Sequence, residues 1–239
     1  MSIRRCPVPN TVLQADALVI TEMASVRYLV RALRLRSGQT VEFFDGSGGA
    51  RRATLQTLSK AQVEGAWAEP LRHEAADDVP NVVPIIAWLK GSDGDDAVAA
   101  LSALGVRHLR VFKADREPLG RQLTEDVLAR WGRIALDSCR QSGGYWCTQV
   151  EGFNGLEEAV QGVDDLVFGS SQGALMGSFE GATVGVVVGP EGGLSPDEER
   201  LLTQRRARPV RLGGRVLRAR HAASLLPAAV YALRSASAS

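Results

Sequence analysis

Apolar residues in the second half of the chain form short continuous runs separated by segments of helical periodicity. Such runs are typical of strands buried on both faces, and they cover residues 82–89, 106–112, 165–168 and 183–188. A helix is expected at 95–104, and a second one from the apolar stripe Leu123, Val127, Leu128, Trp131, Ile134, Ala135 and Cys139. A shorter helix is expected after Asn154. The alternation predicts an α/β domain, in which the stripe is core or dimer contact rather than a cofactor site.

The first half of the chain has the alternating, β-branched pattern of short strands. Three strands are predicted there: 40–44, 50–58 and 62–67. A helix is predicted before them at 22–35, and its spacing places three arginines on one face: Arg27, Arg31 and Arg34. Two prolines within 77–84 interrupt both patterns. We therefore expect a β-rich module at residues 1–76 and the α/β domain at residues 77–239.

The segment that follows the predicted strand 183–188 is the most informative part of the chain. It reads Gly189-Pro190-Glu191-Gly192-Gly193-Leu194, after which Ser195, Pro196 and Glu198 form a helix start with a capping box. The glycines allow positive φ and close approach of a ligand to main-chain groups. The acidic Glu191 disfavours a phosphate and favours a neutral or cationic ligand. An ordinary strand-to-helix turn is the alternative interpretation.

A second strand, glycine loop and helix follow directly. Residues 209–212 predict a short strand, Gly213 and Gly214 form the loop, and residues 222–233 predict an apolar helix. A third loop begins at Gly169, after the strand 165–168. Ligands of open α/β sheets bind outside the carboxyl ends of the strands, so the three loops are expected to converge. The two common phosphate-loop motifs, G-x-G-x-x-G after a strand and G-x-x-x-x-G-K-[ST], are both missing.

The net charge of +1 conceals an uneven distribution. Residues 1–72 hold ten Lys or Arg against six Asp or Glu, and residues 200–220 hold eight arginines and no acid. Only three of the 28 basic residues are lysines, and arginine suits both phosphate contact and stacking on bases. The clusters favour RNA binding. Codon bias with a solvated face is the alternative, and it explains the choice of arginine but not the clustering.

The composition also excludes several classes of protein. No apolar run is long enough to cross a bilayer and the N-terminus lacks a continuous apolar signal region, so a cytoplasmic protein is expected. Three scattered cysteines fit reduced thiols better than a disulfide framework: Cys6, Cys139 and Cys147. The histidines lie far apart and there is no C-x-x-C or H-E-x-x-H, so no metal site is expected.

Several of these segments resemble one known family. VGPEGGLSPDEE at 188–199 and VRLGGRVLRARHAA at 210–223 are similar to the paired C-terminal signatures of the RsmE family, the 16S ribosomal RNA uridine N3-methyltransferases of the SPOUT superfamily. Residues 29–39 with 43–47 resemble that family's N-terminal block, and 139–142 its central block. The resemblance spans almost the whole chain, and the Gly-Pro-Glu-Gly-Gly block is its most specific part.

The resemblance implies a fold and a set of partners. It implies an N-terminal PUA-like RNA-binding β-barrel and a C-terminal SPOUT α/β domain with a trefoil knot, whose cleft holds S-adenosylmethionine against a second subunit of a homodimer. The RNA partner implied is small-subunit ribosomal RNA. The implied cofactor-binding residues are Phe168, Gly169, Gly189, Pro190, Glu191, Gly192, Leu212, Gly213, Gly214, Val216 and Leu217. A non-catalytic RNA-binding or ribosome-assembly protein that keeps the fold is the alternative, as is a methyltransferase for another RNA position.

Methyl transfer to a uracil nitrogen requires in-line positioning and loss of the N3 proton. Arg218 is the candidate for stabilising the anionic uracil, while Glu191 contacts the ligand or holds its own loop. The expected RNA contacts are Arg27, Arg31, Arg34, Arg51, Arg52 and Arg215. Phosphate binding by Arg215 and Arg218 is the alternative to a catalytic role.

The chain departs from the family pattern on its substrate side. Gly214 stands where the family usually has a proline, and Ala219-Arg220-His221 stand in place of Thr-Glu-Thr. Arg140 replaces a glutamate of the central block, and residues 96–104 lack the family's basic and acidic residues. We expect Arg220 to lie in the pocket or at its dimer-facing rim, because it closely follows the Gly213-Gly214 loop.

Overall fold

The computed structural model describes residues 3–75, 81–89, 91–117, 123–179 and 181–237. The chain divides into two compact units. The first comprises Met1–Asp78 together with Cys139–Cys147, and the second comprises Val79–Ser138 together with Thr148–Ser239. The expected boundary between residues 76 and 77 lies outside the described residues. The sequence pattern does not predict the assignment of 139–147 to the first unit.

The described part of the first unit is a six-stranded sheet in the order β1-β3-β4-β5-β2, with β6 paired to β4. Its strands are β1 (Arg4–Pro7), β2 (Leu18–Ile20), β3 (Thr40–Phe44), β4 (Gly49–Leu58), β5 (Val63–Trp67) and β6 (Arg72–His73), and its short α-helices are α1 (Asn10–Leu13) and α2 (Met23–Arg27). The pairing of β1 with β3 is parallel, and the other pairs are antiparallel. The three predicted strands are confirmed as β3, β4 and β5. The β-rich module is therefore present.

The predicted helix at 22–35 is wrong in its second part. The α-helix ends at Arg27, and a π-helix follows over Tyr28–Ala32. A π-helix has more residues per turn than an α-helix, and Arg34 lies beyond it with φ of 52°. The α-helical spacing therefore does not align the three arginines on one face. All three side chains are nevertheless exposed, and none has a hydrogen bond or ion pair within the described residues.

The second unit is built on a six-stranded parallel sheet in the order β12-β10-β11-β7-β8-β9. Its strands are β7 (Val82–Ala87), β8 (His108–Phe112), β9 (Gln149–Phe153), β10 (Asp165–Leu175), β11 (Val184–Val188) and β12 (Arg208–Arg211). Its helices are α3 (Asp93–Leu104), α4 (Glu125–Ser142), α5 (Leu156–Ala159), α6 (Pro196–Gln204) and α7 (Ala219–Ser237). Residues of α3, α4 and α7 form one apolar core with the sheet, and residues of α5 and α6 form a second. The sheet is thus covered on both faces, which confirms the α/β prediction.

Most predicted elements of this unit are found, with shifted ends. Helix α3 ends at Leu104 and is followed by Gly105, whose φ of 95° is the left-handed conformation that favours glycine. Trp131 and Ala135 of the predicted stripe are buried in the core, so the stripe is a packing surface. Strand β10 continues to Leu175, well beyond the expected 165–168, with an irregularity in its pairing between Gly169 and Ala174. The knot stays a prediction, because strand order alone does not specify which segment passes through which loop.

A buried arginine explains why residues 139–147 belong to the first unit. The guanidinium of Arg5 donates to the carbonyl oxygens of Cys139 at 2.9 Å and Gly144 at 2.7 Å, and it pairs with Glu42 at 2.9 Å. It therefore places a cationic donor at the carboxyl end of α4 and ties residues 139–144 to β1 and β3. Arg140, at the position of the family's glutamate, lies 4.4 Å over the ring of Tyr28.

Candidate functional site

The carboxyl ends of the parallel strands surround a cavity of about 740 Å³ in the second unit. Three loops form its wall: 169–171 within β10, 189–194 after β11, and 212–218 after β12. These are the three glycine loops of the sequence, so the predicted convergence is confirmed. The volume falls within the range of small-molecule and cofactor sites.

The loop 189–194 is held in one compact turn. The N–H of Gly193 donates to the carbonyl oxygen of Pro190 at 2.9 Å, and Gly193 has a positive φ of 73°. A Cβ at Gly189 would lie 3.0 Å from Cγ of Leu194, closer than ordinary packing allows. The glycines at these two positions therefore have different causes: backbone conformation at Gly193 and close packing at Gly189.

The start of α6 fixes the far end of this loop. The Glu198 N–H donates to the Ser195 hydroxyl oxygen at 3.1 Å, and a Glu198 carboxylate oxygen accepts from the Ser195 N–H at 2.7 Å. This is the capping box that the sequence predicts, with Pro196 in the first turn. Both Ser195 and Glu198 are buried. The backbone direction after the glycine loop is therefore well determined.

Most of the predicted cofactor-binding residues line the large cavity. They are Phe168, Gly169, Gly189, Pro190, Glu191, Leu212, Val216 and Leu217. Gly213 and Gly214 instead line a smaller adjoining cavity of about 460 Å³. Gly192 is not among the lining residues described for either cavity, and its carbonyl oxygen accepts a hydrogen bond from Arg116. Of the eleven predicted residues, eight therefore line the large cavity and two line only the smaller one. Gly192 lines neither and is held by Arg116.

Charged side chains cluster at the cavity wall. Arg218 and Glu191, the predicted catalytic residues, both line it, and Arg215 lines both cavities. Arg220 also lines the large cavity and is exposed, with its Nε atom 3.2 Å from Nε2 of His221. Arg211 donates to the carbonyl oxygens of Gly173 and Gly213, each at 2.9 Å, and so ties the loop after β12 to β10.

Sequence reasoning missed several residues of the cavity wall. The acidic ones are Asp93, at the beginning of α3, and Glu199 of α6. The chain reaches Asp93 after β7, which is the neighbour of β11 in the sheet. The segment that leads to Asp93 therefore lies at the carboxyl edge of the sheet, as the glycine loops do. Only the strand order reveals this, because the acids at the start of α3 read in sequence as ordinary helix-start residues.

The predicted RNA-binding arginines Arg51 and Arg52 are engaged within the first unit. Arg51 donates to the carbonyl oxygen of Glu69 at 3.0 Å and lies 4.6 Å over the ring of Trp67. Arg52 pairs with Glu42 at 3.3 Å and with Glu69 at 3.1 Å. RNA contact by these two side chains stays a prediction, and it requires them to leave or share these partners.

The structure also bears on metal sites and on membrane-spanning helices. Within the described residues, no group of three or more His, Cys, Asp or Glu side chains has the arrangement of a metal site. None of the helices in that part of the chain is long and apolar enough to cross a membrane.

Comparison with known proteins agrees with this geometry. A family model described as an RNA methyltransferase domain matches residues 77–231, and a model of an RNA methyltransferase PUA domain matches residues 20–65. Ribosomal RNA small subunit methyltransferase E of Synechocystis is 28% identical over 98% of this chain and 78% of its own, and the enzyme of that name from Mycobacterium bovis is 28% identical over 84% and 81%.

A solved structure supports the same grouping. The ribosomal RNA small subunit methyltransferase E of Neisseria gonorrhoeae bound to S-adenosyl methionine superimposes with a TM-score of 0.82 and 26% identity, covering 97% of this chain and 98% of that one. The family model covers more than half of the chain, and the resemblance found in the sequence is confirmed. The chain therefore belongs to the RNA methyltransferase family, alongside the ribosomal RNA small subunit methyltransferases E.

Proposed function

We propose that this chain transfers a methyl group from S-adenosylmethionine to N3 of a uridine in 16S ribosomal RNA. One observation carries the proposal: the three glycine loops meet around one cofactor-sized cavity at the carboxyl edge of the sheet. The chain that holds this cavity is similar over nearly its whole length to a small-subunit methyltransferase bound to S-adenosyl methionine.

The lining of the cavity fits this cofactor. Apolar walls from Phe168 and Leu217 suit an adenine ring, and the main chain at Gly169 and Gly189 lines the same cavity, where it can hydrogen-bond to polar groups of the ligand. Glu191 places a carboxylate where a ligand with a cationic sulfonium gains from it. When bound, the cofactor supplies an electrophilic methyl group. The protein then chiefly holds the acceptor in line, and such positioning can supply ~7–11 kcal/mol of the barrier.

Arg218 is proposed to stabilise the uracil after its N3 proton leaves. Arg218 lines the cavity together with its chain neighbours Val216 and Leu217. A fixed cation beside a developing anion stabilises the transition state more than the ground state, so it raises the rate. Arg215 lines both cavities, and its proposed role is to bind an adjacent phosphate.

Arg27, Arg31 and Arg34 of the first unit are proposed to contact phosphates of the RNA. These side chains are exposed, and their guanidinium groups have no intramolecular partner within the described residues. Free arginines of this kind contribute phosphate contacts and a salt-dependent affinity.

The proposed active form is a homodimer in the cytoplasm. Exposed apolar residues line the cavity, namely Val216 at 81% exposure, Leu212 and Leu217. Such a group of apolar side chains is typical of a surface that another chain covers. Sedimentation velocity at micromolar protein measures the state directly. A monomer under these conditions contradicts the dimer but leaves cofactor binding untouched.

Two measurements test the proposed activity. Calorimetry with S-adenosylmethionine and its demethylated product is expected to show binding to the folded chain. Mass spectrometry of 16S ribosomal RNA from cells with and without the gene is expected to show one N3-methyluridine that depends on it. Absence of heat with either ligand at millimolar concentration refutes the enzyme and favours the non-catalytic RNA-binding alternative. A methyl group at another position supports a different RNA target.

A further inference from the structure

A segment outside the cavity contacts the glycine loop from behind. It follows β8 and carries Arg116, whose Nη1 donates to the carbonyl oxygen of Gly192 at 2.9 Å. A Cβ at Gly192 would lie 3.7 Å from Cβ of Arg116, and one at Gly193 would lie 3.7 Å from its Nη1. The arginine side chain therefore packs directly over the two glycines, and it is not among the residues that line the cavity.

The neighbouring Asp115 connects the same segment to the start of α6. The Ser195 hydroxyl donates to an Asp115 carboxylate oxygen at 2.5 Å, and the Asp115 N–H donates to a Glu198 carboxylate oxygen at 3.1 Å. Both residues of the capping box thus have a second partner on the segment after β8. Strand β7 lies between β8 and β11 in the sheet, so these contacts join two loops whose strands are not paired.

The contact with Gly192 has a definite effect on the backbone. The Gly192 carbonyl and the Gly193 N–H belong to one planar peptide group and point in opposite directions. Holding the carbonyl toward Arg116 therefore directs the Gly193 N–H toward the Pro190 carbonyl oxygen, 2.9 Å away. Two adjacent glycines have access to many other conformations, so this peptide is the point at which the loop most easily changes shape.

We propose that Arg116 is a positioning residue that holds the Gly192–Gly193 peptide and thereby presents Pro190 and Glu191 to the cofactor. It acts through the loop and does not touch the ligand. The inference rests on the proposed function for its consequence, which is tighter cofactor binding, but the effect on the loop is independent of any ligand. A loop already in its binding conformation loses less entropy when the ligand arrives.

The experiment compares Arg116→Ala and Arg116→Lys with a matched control, Arg200→Ala. Arg200 is an exposed arginine of α6 that pairs with Asp197 and lies outside both cavities. Amide hydrogen exchange of Gly193, measured by NMR without ligand, is expected to become at least about fivefold faster in Arg116→Ala. Arg116→Lys is expected to recover part of the protection, because lysine also donates to a carbonyl. The control is expected to match the wild type.

Cofactor binding gives the second readout. Arg116→Ala is expected to weaken binding of the demethylated product by about tenfold in calorimetry and to raise KM for S-adenosylmethionine similarly, with kcat at saturation within about twofold. A uniform loss of that kind is the signature of altered binding rather than altered chemistry. The melting temperature is expected to stay close to that of the wild type, which separates positioning from general destabilisation.

Distinct results would overturn the inference. Unchanged exchange at Gly193 in Arg116→Ala shows that the arginine does not hold the peptide. A loss of RNA affinity with unchanged exchange and unchanged product binding makes Arg116 an RNA contact instead. If the wild type binds no cofactor, the proposed function fails, and the exchange result alone decides whether Arg116 holds the loop.

Discussion

Replacing Arg220 with glutamate tests whether the charge of the cavity wall controls methyl transfer. Arg220 lines the cavity with Arg218, and it stands where the RsmE family usually carries an acid. Four arginines and three acidic residues line this cavity, a formal balance of +1: Arg211, Arg215, Arg218, Arg220, Asp93, Glu191 and Glu199. The substitution changes that balance to −1.

The size of the effect follows from Coulomb's law. For a charge roughly 8–10 Å from the reacting uracil and an effective dielectric constant of about 40–80, a two-unit change shifts the energy of a uracil anion by about 1–2 kcal/mol. This corresponds to about 5-fold to 30-fold in rate. Added negative charge opposes the anion, so kcat is expected to fall. The affinity for the cofactor is expected to change little, because the substitution alters none of the three glycine loops.

The assay measures methyl incorporation into 16S ribosomal RNA under saturating cofactor, beside calorimetry with the demethylated product. Arg205→Glu is the matched control, since it makes the same charge change at an exposed residue that follows α6 and lies outside the cavity lining. A change of less than about twofold in Arg220→Glu places Arg220 among ordinary surface residues and refutes the reasoning. Equal losses in both variants would assign the effect to overall charge and not to the cavity.

Three other predictions concern the first unit. Arg31→Ala and Arg52→Ala are each expected to flatten the salt dependence of RNA binding by roughly one unit of slope, as measured by titrations at several salt concentrations. Arg52 pairs with Glu42 and Glu69, so an unchanged slope in Arg52→Ala would assign it to these partners and refute its RNA contact. Arg5→Met is expected to lower the free energy of unfolding, measured in urea, by about 3 kcal/mol, because it leaves Glu42 buried without this partner. The control Arg4→Met changes an exposed residue and is expected to have almost no effect; equal losses in both variants would contradict a structural role for the Arg5–Glu42 pair. Burial raises the pKa of the Cys6 thiol to about 12, so Cys6 is expected to resist alkylation at pH 8 in the folded chain, and rapid labelling at that pH would contradict this. The unfolded thiol ionises from about pH 9, so the free energy of unfolding is expected to fall as the pH rises from about 9 towards 12.

Sequence patterns predict the second unit better than the first. Its parallel strands are continuous apolar runs, and the capping box at Ser195 fixes a helix start from local chemistry alone. In the first unit, β1 has only four residues and contains Arg5, a charged residue that the sequence pattern alone would place at the surface. Its burial depends on partners that are distant in sequence, namely Glu42 and the carbonyl oxygen of Cys139. The π-helix after Arg27 likewise has no signal in the periodicity.

The sequence likewise predicts one part of the candidate site and not the other. The glycine loops are predictable because the carboxyl ends of parallel strands share one edge of the sheet. Asp93 and Arg116 are not, since they come from segments after β7 and β8 whose positions depend on the order of the strands. Local sequence predicts where a loop is. It does not predict which other segment supports it.

The assignment of residues 139–147 to the first unit limits how this gene can recombine or be divided. A fragment that stops near residue 76 lacks the carbonyls to which Arg5 donates and the Cys139 side chain that packs with Phe44 and Ala50. A single crossover that exchanged the N-terminal module with a relative would separate these partners in the same way. A working hybrid therefore needs two coordinated exchanges, so the two units are expected to be inherited together.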